Sequence, residues 1–115
     1  MFKIGNVEIK SKLVLAPLAG YTNSVYRNIC GDCGASLVYS EMISDKGLLY
    51  DNDRTLRMAS GKLDKYPLAI QIFGYDIDEM VKAAQIVEKE CDCDLIDITM
   101  GCPGRKVIKL IVVHI

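Results

Sequence analysis

The chain has 115 residues, half of them hydrophobic and a quarter charged, with a formal net charge of −1. That length can close one core, and the composition excludes a disordered chain or a protein that grips nucleic acid through bulk positive charge alone. No charged leader precedes an apolar run at Met1, and the longest apolar stretch, Leu110 to Val113, falls far short of the roughly 20 residues of a membrane helix, so a soluble cytoplasmic protein without a membrane partner is expected.

Along the chain, short apolar runs alternate with helical patterns. Leu13-Val14-Leu15-Ala16 is a continuous run ended by Pro17, and Ser36-Leu37-Val38-Tyr39 is a second, ended by Ser40-Glu41. Both read as buried strands. Between them, Asn23 or Ser24 can cap a helix through Val25, Tyr26 and Ile29 that stops near Gly34. Arg54 to Met58 is a shorter helical segment. Pro67 introduces the third strand, Leu68 to Phe73, closed by Gly74. Asp76 or Asp78 then opens a stronger helix, in which Ile77, Met80, Val81, Ala84 and Val87 recur at helical spacing up to about Cys91. Leu95-Ile96-Asp97-Ile98 is the fourth buried strand.

Strands interleaved with helices in this order form successive βαβ units, which gives an α/β fold with a parallel sheet. Parallel sheets place ligand chemistry at the carboxyl ends of their strands. Those ends carry Pro17 to Gly20, Glu41-Met42, Gln71 to Gly74 and Thr99 to Pro103. Cys102 puts a thiol there, between Gly101, which lets the backbone turn, and Pro103, which stiffens it. From spacing alone it is either a reactive group or a small buried hydrophobe. Gln71 interrupts a buried strand with an amide that can serve a ligand or a neighbouring backbone group. Five cysteines are an odd count for a disulfide framework and point to reduced thiols. Cys30 and Cys33 form a C-x-x-C pair and Cys91 and Cys93 a C-x-C pair, but both lie at helix ends on the face away from Cys102, so inert thiols are expected and no metal site.

Taken in order, Ala16-Pro17-Leu18-Ala19-Gly20-Tyr21-Thr22, Ser40-Glu41-Met42, Arg54-Thr55-Leu56-Arg57, Gln71-Ile72-Phe73-Gly74 and Asp97-Ile98-Thr99-Met100-Gly101-Cys102-Pro103 resemble the motif series of the tRNA-dihydrouridine synthases. The resemblance covers residues 4 to 109. It implies a partial TIM (β/α)8 barrel of about four βα units: residues 1–109 would be the N-terminal half of an FMN-binding barrel domain, and 110–115 an unmatched apolar tail. It also implies FMN and NAD(P)H as cofactors, tRNA as partner of the complete protein, and reduction of uridine to 5,6-dihydrouridine.

By the same resemblance, Cys102 is the proton donor to uracil, while Pro17, Leu18, Ala19 and Gln71 contact flavin. Glu41 and Met42 are substrate-side candidates. Thr99 stands where the family usually has an asparagine. The lysine and histidine that hold the flavin phosphate in the family lie on later strands, so His114 reads as an ordinary tail histidine. A half-barrel with open edges should self-associate. The residues leave two further readings open: another FMN-dependent barrel oxidoreductase acting on a small pyrimidine or enoate, and a non-catalytic truncated barrel.

Overall fold

The computed structural model describes residues 1–101; Cys102, Pro103 and the 110–115 tail lie outside the described residues. The elements are β1 (Phe2–Ile4), β2 (Val7–Ile9), α1 (Ser24–Asp32), β3 (Val38–Tyr39), β4 (Ile43–Ser44), α2 (Asp45–Tyr50), α3 (Asn52–Ala59), β5 (Leu68–Phe73), α4 (Ile77–Glu90) and β6 (Leu95–Ile98). The fold is α/β, with one parallel sheet and a separate N-terminal hairpin of β1 and β2. Both long helices start where the sequence places their caps: Asn23 Oδ1 accepts from the Tyr26 N–H at 3.0 Å and Asp76 Oδ1 from the Glu79 N–H at 2.9 Å.

β6 occupies one edge of β5 from Ala69 to Ile72. β3 pairs with Leu68-Ala69 and β4 with Ile72-Phe73, so both must lie on the opposite edge. They are two halves of one interrupted strand. Val38 faces Leu68 whereas Ile43 faces Ile72, so the gap between them holds one extra residue, as in a bulge. Ser40 closes that gap: its hydroxyl accepts from the Gln71 N–H at 3.0 Å and donates to the Glu41 carbonyl at 2.7 Å. Glu41 and Met42 therefore lie just past the end of β3, in the bulge that precedes β4, where the serine hydroxyl substitutes for a backbone partner and pairing resumes after them.

The expected first strand is reduced to an isolated parallel bridge between Val14 and Leu37. Leu13 and Val14 are 60% and 46% exposed, which corrects the reading of a buried strand: among the described residues this outermost segment is paired only on its Leu37 side. The spatial order across the sheet is thus the Val14 segment, β3 with β4, β5, then β6, the same as the order in sequence.

The alternation of β5 separates two layers. Leu68, Ile70 and Ile72 face the helices and pack with Leu48, Ala59, Ala83 and Val87. Ala69 turns the other way, into a smaller cluster with Ile9, Leu37, Tyr39 and Leu95, which the N-terminal hairpin closes through Ile9 and Val7. On β6, Ile96 and Ile98 pair with Ile70 and Ile72 but remain 37% and 50% exposed; this strand is half covered, against the expectation of full burial. Ile77 and Val81 of α4 are likewise exposed, and Ala83 and Val87 carry its buried face.

α1 docks in an unusual way. Its buried residues are Arg27 and Gly31, whereas Val25 and Ile29 are exposed. A Cβ on Gly31 would lie 2.0 Å from the Tyr66 ring, so glycine lets the ring against the helix, and Tyr66 Oη donates to Asp32 Oδ1 at 2.7 Å.

Candidate functional site

The carboxyl ends of the parallel strands gather three connecting segments. The first, Leu18 to Thr22, folds on itself: the Tyr21 and Thr22 N–H groups donate to the Leu18 carbonyl at 3.0 Å, and Thr22 Oγ1 accepts from the Leu18 N–H at 3.2 Å. Gly20 adopts φ +81° at the tip, a conformation that favours glycine. This turn is braced on two sides. Glu41 Oε1 accepts from the Gly20 N–H, and Arg27 Nη1 donates to the Thr22 carbonyl at 2.7 Å. Leu18 and Ala19 are exposed and Pro17 is half-buried, so an apolar, pre-shaped turn is presented at this end of the sheet.

Gln71 lies in the middle of β5, directly opposite Asp97 of β6, and Gln71 Nε2 donates to Asp97 Oδ2 at 2.6 Å. An ionised carboxylate only accepts, so it fixes which end of the amide faces it and leaves Gln71 Oε1 for another donor. Tyr39 is close enough that the Asp97 charge, after burial, helps raise its phenol above the ordinary value. Gln71, Asp97 and Tyr39 thus form a polar group on the face away from the helices. Thr99 carries the register to the strand end, where its N–H donates to the Ile72 carbonyl at 3.0 Å. Its buried hydroxyl oxygen has no partner among the described residues.

These placements bring Glu41 to the Gly20 turn and Gln71 to Asp97. Sequence reasoning missed Asp97 as the partner of Gln71, although the two residues occupy corresponding positions of adjacent predicted strands. It also missed Asp45. A Cβ on Gly74, the glycine that ends β5, would lie 1.9 Å from Asp45 Oδ2, so this glycine makes room for a carboxylate.

Asp45 is 2% exposed; its Oδ1 accepts from the Lys46 N–H at 2.6 Å while Oδ2 has no partner among the described residues. Burial raises its pKa, the Lys46 N–H opposes the rise, and the Glu79 charge adds to it. A carboxyl whose pKa is raised by folding favours the fold below its unfolded pKa and loses that contribution as pH rises through the folded value. Asp45→Asn is therefore expected to stabilise the chain at pH 7 by about 1 kcal/mol, the scale of an unpartnered buried acceptor. The gain should shrink as pH falls toward 4, measured as the difference in urea midpoint between the two proteins; a gain independent of pH would contradict the assignment.

Cys30, Cys33, Cys91 and Cys93 are free thiols. Burial, reinforced by Cys91, pushes the Cys93 thiol up to about 11, which makes it a poor nucleophile. No group of three or more His, Cys, Asp or Glu among the described residues is arranged to hold a metal ion, and no described helix is long and apolar enough to cross a membrane.

Residues 14–111 match the family model described as dihydrouridine synthase. The tRNA-dihydrouridine synthase B of Pasteurella multocida is 40% identical over 105 residues, which are 91% of this chain and 31% of that protein. The enzyme of the same name from Shewanella oneidensis is 37% identical over 107 residues, 93% of this chain and 33% of the relative. The Escherichia coli K12 protein is 37% identical over 106 residues, 91% and 32%. The chain spans about a third of the length of the curated relatives it matches.

Proposed function

Because the chain belongs to the dihydrouridine synthase family, we propose that it carries the flavin-ring and proton-donor side of an enzyme that reduces uridine in tRNA to 5,6-dihydrouridine with FMN and NAD(P)H. Residues 1–109 are the N-terminal half of an FMN-binding TIM barrel. The sequential order of the parallel strands supports the barrel, since strand order in a closed (β/α) barrel follows the chain. Its tRNA substrate implies a cytoplasmic location.

The observation that carries the reading is the Gln71–Asp97 pair on the sheet face away from the helices, with the braced apolar turn of Leu18 to Thr22 in its support. Pro17, Leu18 and Ala19 offer a flat surface to a flavin ring, and Gln71, oriented by Asp97, offers it an amide acceptor. Bound FMN supplies hydride to one carbon of the uracil 5,6 double bond. Cys102 holds the proton for the other carbon. An unperturbed thiol, with a pKa of about 8.5, keeps that proton near neutral pH. Glu41 holds the Gly20 turn and Met42 lies beside it in the bulge, which suits the substrate side.

The test is visible flavin absorbance in the purified chain, followed by dihydrouridine formation on unmodified tRNA with NADPH by a version extended to the relatives' length. Flavin without product from the extended protein would sink the reading. The partly uncovered Ile96 and Ile98 also favour self-association of the fragment. Light scattering should give a mass above that of the monomer, and a clean monomer would count against it.

A further inference from the structure

Between α1 and α3 lies a cavity of about 300 Å³, lined by Asn23 and Ser24 from the start of α1, Glu41 from the bulge, and Arg54, Arg57 and Met58 from α3. It opens on the same end of the sheet as the Gly20 turn, because Glu41 both lines it and accepts from the Gly20 N–H. Arg54 and Arg57 are three residues apart on one helix, a spacing that places side chains on the same face. Both are exposed, and neither makes an ion pair among the described residues. Arg27, which also borders the cavity, is satisfied by Asp64. The one acid in the lining, Glu41, already receives the Gly20 N–H. Two free guanidinium groups are thus set around a space at a helix start, in a chain whose net charge is −1.

Guanidinium groups match phosphate oxygens in a fork geometry, and here two of them share one helix face. We propose that this cavity holds a phosphodiester of the substrate RNA strand, with Arg54 and Arg57 as its cationic ligands. The inference deepens the proposed function and rests on it: an RNA whose uridine reaches the strand ends must lay its backbone across this face.

The experiment uses the 115-residue chain with a fluorescent unmodified tRNA transcript, read by anisotropy across a salt series, with flavin absorbance recorded on each sample. Removing the contacts to that one phosphodiester in Arg54→Gln/Arg57→Gln should lower the slope of log affinity against log salt by roughly 0.7–0.9, and weaken binding on the order of five- to tenfold near 0.1 M salt. Arg54→Lys/Arg57→Lys should keep the slope. Lys10→Gln/Lys65→Gln removes the same charge from a cavity at the opposite end of the sheet, and should leave the slope within a few tenths.

Equal slopes for the arginine double variant and the parent, or equal losses in both glutamine variants, overturn the cavity's role. If flavin is still bound in those cases, the proposed function stands. Flavin binding without tRNA binding also overturns the inference alone. A chain that binds neither overturns both, and the expected slope change without flavin supports the phosphate site while removing the flavin reading. Circular dichroism of each variant verifies that the exposed substitutions leave the fold intact.

Discussion

Arg27→Ala is expected to destabilise the chain by about 3–5 kcal/mol, the cost of leaving a buried charge without its partner. The Arg27 and Asp64 side chains are only 2% and 3% exposed. Arg27 Nε and Nη2 donate to the two carboxylate oxygens, each at 2.6 Å, in the paired geometry that suits a guanidinium best. The remaining donors reach the Thr22 carbonyl at 2.7 Å and the Ser60 carbonyl at 3.2 Å. Removing the arginine therefore strands Asp64 and two carbonyls together. Against a typical total stability of about 5–15 kcal/mol, the variant would be marginal at room temperature. Asp64→Ala should cost a similar amount, and Arg27→Met/Asp64→Leu much less than the sum, because no charge is then left buried alone. Urea unfolding of the four proteins measures this; a single-variant loss below about 1 kcal/mol would mean that the pair is solvated. Thr22 closes the turn that carries Leu18 and Ala19, so the same substitution should also weaken FMN binding before the chain unfolds.

Loss of the Cys102 thiol should slow dihydrouridine formation by about 10²–10⁴-fold, the usual contribution of a positioned general acid. The informative measurement separates the two half-reactions in a flavin-loaded protein extended to the relatives' length. In the proposed reaction, reduction by NADPH takes no proton from this residue and should be unchanged in Cys102→Ala, whereas oxidation by tRNA should carry the whole defect. A thiol that merely packs would affect both halves alike or neither. Cys102→Ser keeps a proton on a far less acidic group, and should fall between the parent and the alanine variant.

Much of the fold is legible in local chemistry. The bounds of β5 and β6, the caps at Asn23 and Asp76, and the stop near Gly34, which takes φ +110°, follow from turn residues and apolar runs that act within a few positions. What escaped were short elements and long-range partners. The hairpin of β1 and β2, the two-residue β4 and the six-residue α2 are too brief to show a period. Reading α1 by its apolar residues selected Val25 and Ile29, both exposed, because a helix face buried through an arginine and a glycine carries no hydrophobic signal. The resumption of pairing in β4 after Glu41 and Met42 escaped for a similar reason. A serine hydroxyl that restores pairing across a bulge cannot be foreseen without the strand it pairs with.

The sequence by itself determined the family and the parallel α/β order, since ordered motifs and their spacing are properties of the chain alone. Only the tertiary structure decided which residues meet. Gln71 is held by Asp97 26 positions away, and Arg27 by Asp64 37 positions away. Such pairs are fixed by strand register and helix docking, where burial makes an unpaired charge or amide costly. That cost selects one arrangement from the many that local preferences permit.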